Sequence, residues 1–439
     1  MYSFERYHLL EENMKSFNFS YHPSTEILES AVLKNIQSLE PLIIAIRDRN
    51  RSIGFIDVLY DAVLLESLYD LASQKSRYDP ALIIVIGIGG SSLGADACYQ
   101  AFKSDDSPKL LFVDTIDPDF VALMMVHAKK TLERLQTILI IIITKSGETL
   151  ETMINAQLFV ALLKQYHPVD YNQYVVVISE ERSSVWCWAQ CHNIDRLSIP
   201  VNVGGRYSIF TAAGLFPLLC AKIDIKQLLK GAHYMANESL KSVTESNIAA
   251  TMAALLFVQY KQGVMIHDTF IFSVSLVALG NWYRQLLAES IGKKHNTRGQ
   301  VVRIGLLPTV SLGTTDLHSV GQLYLAGPSN RFTTFISYER YSQDPVVSSD
   351  DDFQLNDQQR SCASLYHAIL QGVERVYAID NRPFAAITFP DRSEIYVGQF
   401  MQYAMMQVFY LAELLEVDPF DQPEVERYKT ETKKILNGK

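Results

Sequence analysis

Four runs of aliphatic residues, each ending at glycine or at a short polar side chain, constrain the fold of this chain more than any other feature. The first run, ALIIVIGIGG, covers residues 81–90, and similar runs follow at 110–114, 138–144 and 174–179. Continuous aliphatic runs of this length are typical of strands that are buried on both faces of a parallel sheet. Because segments of helical length separate the runs, we predict a doubly wound α/β domain built from right-handed βαβ units.

The same alternation starts again in the second half of the chain. A helical stretch over 225–260 is followed by four more strand-like runs, again separated by segments of helical length: 270–274, 301–306, 332–337 and 385–389. We therefore predict a second α/β domain of the same class. The stretch 393–415 is apolar and rich in methionine, which predicts a helix buried in the core.

These patterns divide the chain into four regions. We predict an N-terminal helical arm over 1–50, a first α/β domain over 51–220, a second α/β domain over 221–415 and a helical C-terminal tail over 416–439. No Gly/Ser-rich linker separates the two halves. We therefore expect the two domains to pack directly against each other.

The charge balance argues against two classes of partner. The 439 residues include 39 basic and 48 acidic side chains, which gives a formal net charge of −9. Nucleic acid is not an expected partner, because no basic field is available to replace the counterions of phosphate groups. A membrane is not expected either, because the longest aliphatic run, 138–143, is far shorter than the roughly 20 residues that span a bilayer.

The cysteines predict a reducing compartment and no metal site. Five cysteines are too few, and odd in number, for a disulfide framework, and the start MYSFERYHLLEENMK has no signal-peptide core, so we expect a cytoplasmic protein. Cys187, Cys191 and His192 stand close together, but a C-x3-C spacing without a second pair is not typical of a metal site. The segment that carries them predicts an amphipathic helix instead.

A glycine-rich segment, GIGGSSLG over 87–94, follows the first predicted strand. Such a turn between a strand and a helix lets the backbone approach an anion at the helix N-terminus, which makes Gly90 and Ser91 candidate phosphate-binding residues. The segment is not a Walker loop, because Ala95 follows the last glycine, and it lacks the third glycine of the dinucleotide fingerprint. A purely structural tight turn is the alternative interpretation.

A second polar segment, TKSGETLET over 144–152, follows the third predicted strand. Hydroxyl groups and backbone N–H groups are good donors to phosphate, and the carboxyl ends of parallel strands are where open α/β sheets bind ligands. The candidate phosphate-binding residues here are Thr144, Lys145, Ser146 and Thr149. An ordinary helix N-cap is the alternative, but a cap needs one hydroxyl group rather than four.

Six sequence blocks, spread over roughly residues 80–430, carry a resemblance to a known family. In chain order they are GIGGSSLG (87–94), TKSGETLET (144–152), GGRYSIFTAAGLFPL (204–218), QLLAESIGK (285–293), LPTVSLGTTDLHSVGQLYLAGP (307–328) and PFDQPEVERYK (419–429). Together and in this order they resemble the glucose-6-phosphate isomerase family, and its bacterial branch more than its longer animal form. The resemblance implies two flavodoxin-like sugar-isomerase (SIS) domains. It also implies a glycolytic and gluconeogenic ketol-isomerase that needs no cofactor.

The resemblance also implies a role for each candidate catalytic residue. Glu289 stands at the position of the family's base, which moves a proton between C2 and C1 of the sugar through a cis-enediol(ate). His318, helped by Lys429, would open the sugar ring, and Arg206 would stabilise the negative charge of the intermediate. On the residues alone, Glu289 also fits a surface carboxylate, Arg206 a structural ion pair and Lys429 a solvent-exposed helix lysine. Glu424 stands where the family usually has glycine, which puts the local backbone and the reach of Lys429 in question.

Three further residues belong to the expected substrate site. Gln285 and Glu289 are four residues apart, so their side chains share one face of a predicted helix. Gly205 and Gln422 are assigned to the site by the resemblance. In the family the active site lies at a homodimer interface, which implies that His318 is supplied by the partner subunit. Two other functions stay open at this point: a dual glucose/mannose 6-phosphate isomerase, and a non-catalytic SIS protein that senses sugar phosphates.

Overall fold

The computed structural model describes residues 14–22, 26–105, 107–242, 247–347 and 360–438. They form the strands β1 (Asn18–His22), β2 (Pro80–Ile86), β3 (Lys109–Val113), β4 (Thr137–Ile143), β5 (Val175–Ser179), β6 (Asp195–Ser198), β7 (Ile266–Phe272), β8 (Lys293–His295), β9 (Val301–Ile304), β10 (Leu307–Leu312), β11 (Arg331–Tyr338) and β12 (Phe384–Phe389).

The α-helices of the same residues are α1 (Glu26–Ser38), α2 (Glu40–Arg47), α3 (Gly54–Asp57), α4 (Ala62–Ser76), α5 (Leu93–Phe102), α6 (Pro118–Glu133), α7 (Leu150–Tyr166), α8 (Ser184–Cys191), α9 (Ala212–Cys220), α10 (Ile225–Ser239), α11 (Ile248–Lys261), α12 (Val277–Ile291), α13 (Gly321–Ala326), α14 (Cys362–Ile379), α15 (Glu394–Leu414) and α16 (Val425–Leu436). Short 3₁₀ turns occur at Val58–Tyr60, Gly89–Ser91, Tyr171–Tyr174, Gly205–Tyr207, Val274–Leu276 and Thr315–Leu317.

The first sheet has the predicted doubly wound arrangement. Its strands are all parallel and lie in the order β3-β2-β4-β5-β6. Ile84 and Ile140 belong to a core that α6, α7 and α8 cover, whereas their neighbours Ile83 and Ile141 belong to a larger core on the opposite face. Successive side chains of a strand point to opposite faces, so a sheet that is covered on both sides needs apolar residues at every position.

The second sheet repeats this arrangement over four of its strands. Its order is β1-β12-β11-β7-β10, with β7, β10, β11 and β12 mutually parallel and β1 antiparallel to β12. Numbered within each domain, both sheets therefore have strand order 2-1-3-4. The fifth place is taken by the parallel strand β6 in the first sheet and by the antiparallel strand β1 in the second. The fold class predicted from the sequence, two α/β domains with a helical C-terminal region, is confirmed.

Two local predictions are wrong. The predicted strand over 301–306 is not part of the second sheet, because β9 (Val301–Ile304) pairs only with β8 in a small antiparallel hairpin. The sheet strand is β10, which begins at Leu307 and contains Pro308; proline is tolerated there because β10 lies at the edge of the sheet. The N-terminal arm, predicted as helical over 1–50, contains α1 and α2, but residues 18–22 form the strand β1; residues 1–13 and 23–25 of the arm lie outside the described residues.

The core has three layers. One apolar cluster lies between the first sheet and the helices α6, α7 and α8. A second, which includes Phe270, Phe335 and Leu370, lies between the second sheet and α14. The largest cluster lies between the two sheets and takes side chains from both of them and from α15, the predicted Met-rich buried helix.

The predicted domain limits at residues 50, 220 and 415 stay predictions. Among the helices that the structure describes, none is both long and apolar enough to cross a membrane.

Two glycines allow α10 and α15 to cross with their backbones in contact. A Cβ atom added at Gly231 of α10 would lie 1.9 Å from the carbonyl oxygen of Ile395, and one added at Gly398 of α15 would lie 2.0 Å from the carbonyl oxygen of Leu228. Real Cβ atoms do not approach an oxygen so closely, and backbone atoms cannot rotate away as a side chain can. The crossing of these two helices therefore depends on glycine at both positions.

We expect Gly398→Ala to lower the free energy of unfolding by at least about 2 kcal/mol, because the added methyl group must force the two helices apart. Gly372→Ala is the matched control. Gly372 also lies within a helix, α14, but nothing lies within 4 Å of its added Cβ, so alanine should stabilise the protein by about 0.5–1 kcal/mol. Thermal unfolding followed by circular dichroism measures both effects. A Gly398→Ala midpoint at or above that of the wild type would contradict the proposed crossing.

Candidate active site

The glycine-rich segment lies at the carboxyl end of β2 and contacts a second loop of the same domain. A Cβ atom at Gly90 would lie 2.2 Å from the carbonyl carbon of Gly205, so only glycine lets this segment lie on the Gly205–Arg206 peptide. The hydroxyl group of Ser208 donates a hydrogen bond to the Gly90 carbonyl at 3.2 Å. Ser91 ends the short turn that leads into α5. The predicted residues Gly90, Ser91 and Gly205 thus meet at one edge of the sheet.

The hydroxyl-rich segment follows β4 at the same edge. Thr144 is buried, and its Oγ1 accepts the N–H of Gly147 at 3.2 Å, while the exposed Ser146 accepts the N–H of Glu148 through its Oγ at 3.2 Å. Thr149 occupies the N-cap position of α7, yet its hydroxyl group accepts no N–H of the helix. The first N–H groups of α7 are therefore left for an external acceptor, and a helix N-terminus favours an anion.

Lys145 makes several contacts within the protein, and its role as a phosphate ligand stays a prediction. Its Nζ donates to the carbonyl oxygens of Val201 at 2.8 Å and Val203 at 3.1 Å, and it lies 3.3 Å from a carboxylate oxygen of Glu180. These contacts attach the hydroxyl-rich segment to the residues just before Gly204. In this structure Lys145 braces the loop, and its charge is shared with Glu180.

Arg206 is buried and has all five of its N–H donors engaged. Nε donates to the hydroxyl group of Ser290 at 2.9 Å, and Nη1 donates to Glu289 Oε2 at 3.3 Å and to the side-chain oxygen of Gln422. Nη2 donates to the carbonyl oxygens of Pro419 and Asp421. A guanidinium group has five such donors in a fixed planar arrangement. Arg206 therefore fixes the relative positions of three segments of the chain: its own loop, the end of α12 and residues 419–422.

Glu289 and Gln285 lie on one face of α12, as their spacing predicts. The Gln285 amide donates from Nε2 to Glu289 Oε1 at 3.1 Å, and Arg206 contacts the other carboxylate oxygen. The Glu289 side chain remains 31% exposed, so it can be reached from outside. The Gln285 Oε1 atom is buried and has no hydrogen-bond partner among the described residues, which leaves an acceptor beside the carboxylate.

A cavity of about 610 Å³ opens beside Glu289. It is lined by the end of α12, by residues 292–297 and Gly299, and by Asp418 and residues 421–425. Gln422 is therefore part of the site, as predicted. Lys429 lies one helical turn beyond Val425 of this wall, on an exposed helix, with its Nζ 2.7 Å from Glu426. On the same helix, Lys433 lies 3.8 Å from Glu148 of the hydroxyl-rich segment.

His318 is not brought to this site within one chain. It follows the turn at the carboxyl end of β10, whereas α12 runs back from the carboxyl edge of the sheet and ends, just after Glu289, near the start of β10. At 1.5 Å per residue the 15 residues of α12 separate the two positions by about 20 Å. His318 is exposed, and its ring makes no hydrogen bond or ion pair with the residues that the structure describes.

The structure therefore brings together most, but not all, of the residues predicted for the site. Three residues that sequence reasoning missed also belong to it: the buried Ser290 and Lys293 and the exposed Asp421. Ser290 and Lys293 lie in the block QLLAESIGK, one of the six blocks that carry the resemblance. The sequence therefore marked this region, but it did not indicate a role for either residue. No group of His, Cys, Asp or Glu side chains within the described ranges is arranged to hold a metal ion. Cys187 and Cys191 are exposed on α8.

A family profile and the sequences of related proteins identify the same family. Residues 81–438 match the profile of the family described as phosphoglucose isomerase. The glucose-6-phosphate isomerase of Methanocaldococcus jannaschii is 32% identical over 389 residues, which is 87% of this chain and 88% of the relative.

Two crystal structures superpose on nearly the whole chain. A hypothetical protein from Thermus thermophilus gives a TM-score of 0.84 at 26% identity and covers 95% of this chain and 100% of its own. A glucose-6-phosphate isomerase from Chlamydia trachomatis gives 0.82 at 21% identity, covering 99% of this chain and 91% of its own, and so supports the fold alone.

We expect the double variant Ser146→Ala, Thr149→Ala to raise the Kd for inorganic phosphate at least about tenfold, because hydrogen bonds to a charged group contribute about 1.5–3 kcal/mol each. Calorimetric titration measures the Kd. The matched control is Ser67→Ala with Thr131→Ala, two helix hydroxyl groups that donate only to their own helix backbone and should leave the Kd unchanged. Equal affinity in the wild type and the Ser146/Thr149 variant would place the phosphate site elsewhere.

Proposed function

The chain belongs to the phosphoglucose isomerase family, so its reaction is the interconversion of glucose 6-phosphate and fructose 6-phosphate, and we propose how its residues divide the steps of that reaction. The observation that carries the proposal is the position of Glu289. Its carboxylate lies between the Gln285 amide and the Arg206 guanidinium, is partly exposed, and borders a cavity. This is the arrangement that a positioned general base requires.

The phosphate group of the substrate binds at the carboxyl edge of the first sheet. Thr144, Ser146, Thr149 and Ser91 supply hydroxyl groups, and the free N–H groups at the start of α7 supply the favourable end of the helix dipole. This part of the substrate does not react. Its binding energy holds the sugar carbons against Glu289 and so raises the rate through positioning.

Glu289 transfers the proton between the two carbons. In the direction from aldose to ketose, the carboxylate removes the proton from C2 of the open-chain sugar. The electron pair of that C–H bond forms the C1=C2 double bond, and the C1 carbonyl oxygen takes the negative charge of the enediol(ate). The proton of the C2 hydroxyl group moves to O1, so that C2 can become the carbonyl carbon of the ketose. The same carboxyl group then returns the proton to C1. Gln285 fixes one carboxylate oxygen and Arg206 the other, so the group can serve both carbons without rotating away. This step needs no redox cofactor, because C2 is oxidised and C1 is reduced within the same sugar molecule.

Arg206 acts on the intermediate through its charge rather than through a new hydrogen bond. All five of its donors are engaged by protein acceptors, and the guanidinium is buried beside the carboxylate. A fixed cation in a site with little water stabilises negative charge that develops on the substrate oxygens. It needs no reorganisation to do so.

Ring opening needs an acid–base group, and His318, the residue that the resemblance assigns to this step, does not lie near Glu289 in its own chain. We assign this step to His318 of a second subunit in a homodimer, assisted by Lys429 on α16 of the first. The free ring of His318, its exposure and its separation of about 20 Å from Glu289 in its own chain all support this assignment. A twofold dimer then has two equivalent sites, each built from both chains. We place the enzyme in the cytoplasm, which the unpaired state of all five cysteines supports.

We expect Glu289→Gln to lower kcat for fructose 6-phosphate by about 10²- to 10⁴-fold with little change in KM, since the amide keeps the shape but cannot accept the proton. Exchange of the substrate C2 proton with solvent deuterium should stop in the same variant. Coupled kinetics and NMR measure the two effects. Glu374→Gln, a partly buried glutamate on α14, serves as the control and should retain full activity. A Glu289→Gln rate within threefold of the wild type would exclude Glu289 as the base.

The shared site can be tested by mixing two inactive variants, Glu289→Gln and His318→Ala. After unfolding and refolding together in equal amounts, about half of the dimers should be mixed, and each mixed dimer has one site with neither substitution. About a quarter of the wild-type activity should therefore return. If both residues acted within one chain, every site would carry a substitution. A mixture that stays inactive, although mass spectrometry detects mixed dimers, would rule out the shared site.

A further inference from the structure

Two buried cations converge on the backbone of residues 418–422, which we name the bridging segment. Lys293, only 8% exposed, donates from Nζ to the carbonyl oxygen of Asp421 and to its carboxylate oxygen Oδ1 at 2.6 Å. Arg206 donates from Nη2 to the same carbonyl oxygen at 3.1 Å. One backbone carbonyl group therefore accepts hydrogen bonds from both cations.

The bridging segment determines where two site residues stand. It contains Gln422, whose side-chain oxygen accepts from Arg206, and it leads directly into α16, which carries Lys429. On its other side, the ring of Phe420 packs against Tyr207 and Phe409, with ring centroids 5.4 and 6.0 Å apart. The segment is thus held by apolar contacts at Phe420 and by the two cations at Asp421.

The Lys293 contact is one that a neutral side chain cannot replace. Burial lowers the pKa of Lys293, and the hydrogen bond and charge of Asp421 act in the opposite direction to keep the ammonium protonated. A buried charge that loses its partner is strongly unfavourable, and a carbonyl group that loses its donor keeps the cost of desolvation. Without Lys293, the Asp421 peptide keeps only Arg206, and the segment can shift toward solvent.

Resting on the isomerase function proposed above, we propose that Lys293 is a positioning residue: by holding both the carbonyl and the carboxylate of Asp421, it sets the bridging segment so that Gln422 and Lys429 face the reacting end of the sugar. Lys293 also lines the cavity, but the hydrogen bonds of its Nζ go to Asp421, so in this proposal it acts through the segment. The phosphate group binds at the other loops, so Lys293 should affect kcat far more than KM.

The chain contains a matched pair that separates positioning from simple stability. Lys75, 3% exposed, lies 2.6 Å from the half-exposed carboxylate of Asp195 and also donates to the carbonyl oxygen of Gln173 at 2.6 Å. The Lys293–Asp421 pair has the same distance, a 7% exposed lysine side chain and a half-exposed carboxylate. The Lys75 pair joins α4 to the edge strand β6, and its residues do not line the cavity beside Glu289.

The experiment compares Lys293→Met with Lys75→Met in the full chain. Both should lower the thermal midpoint. Lys293→Met should also lower kcat for fructose 6-phosphate about 10- to 100-fold with KM within threefold, because a misplacement of about 1 Å costs this much in rate. Lys75→Met should leave both constants within twofold. Lys293→Arg, which retains the charge and the donors, should recover most of the lost rate.

Hydrogen exchange followed by mass spectrometry gives a readout that needs no activity. Amide exchange over 418–436 should accelerate in Lys293→Met and stay unchanged in Lys75→Met. If the wild type failed to isomerise fructose 6-phosphate, the proposed function would fail, while the exchange measurement would still decide the position of the segment. If Lys293→Met does not fold, Asp421→Asn replaces it in both measurements. This variant keeps the carbonyl group, so we expect a smaller loss of kcat and a smaller acceleration of amide exchange over 418–436. Unchanged exchange over 418–436, or a kcat loss that Lys75→Met shares, would overturn the proposal.

Discussion

The buried guanidinium of Arg206 is the interaction on which the geometry of the site depends. It comes from a loop of the first α/β domain and contacts the end of α12, the side chain of Gln422 and two carbonyl groups of the bridging segment. A buried cation is tolerated only when its donors are satisfied. Here the acceptors that satisfy Arg206 lie on the two segments that carry Glu289 and Gln422. The contacts that make the buried cation stable therefore also fix the positions of these two side chains.

The orientation of the two domains follows from the same contact. The carboxyl edge of the first sheet presents the glycine-rich and hydroxyl-rich segments. The glycine-rich segment contacts Gln285 of α12 at Gly89, and α12 ends at the amino edge of the second sheet. The carboxyl edge of the second sheet, with His318, then points away from the site. Parallel α/β domains place their loops for ligands at the carboxyl edge. In the mechanism we propose, one domain uses that edge for the phosphate site, and the other presents it to a second chain.

How much the sequence predicts depends on how local each feature is. The buried strands of the first sheet are predictable because burial on both faces leaves a continuous aliphatic run, and Gln285 and Glu289 are predictable because their spacing is a helical one. By contrast, β1 is a five-residue strand whose ladder partner, β12, is more than 360 residues away, and β10 contains the proline that suggests a break. Two protein partners of Lys145 are carbonyl groups more than 50 residues away, which the sequence could not predict, and its assignment as a phosphate ligand stays a prediction. The Lys293–Asp421 pair spans 128 residues.

Glu424 stands where the family usually has glycine. From the sequence this difference put the local backbone in question, and the structure shows the conformation that the backbone adopts there. At this position the backbone has φ −71° and ψ −24°, an ordinary helical conformation, so no residue-specific strain follows from the side chain. Glu424 precedes α16, where a carboxylate is favoured by the helix dipole. Its hydrogen bond with Arg427 at 2.9 Å lowers its pKa and keeps it charged. The substitution therefore exchanges a flexible residue for one that stabilises the start of the helix carrying Lys429. The reach of Lys429 then depends on the bridging segment before Glu424, where Arg206 and Lys293 hold the chain, rather than on freedom at residue 424 itself.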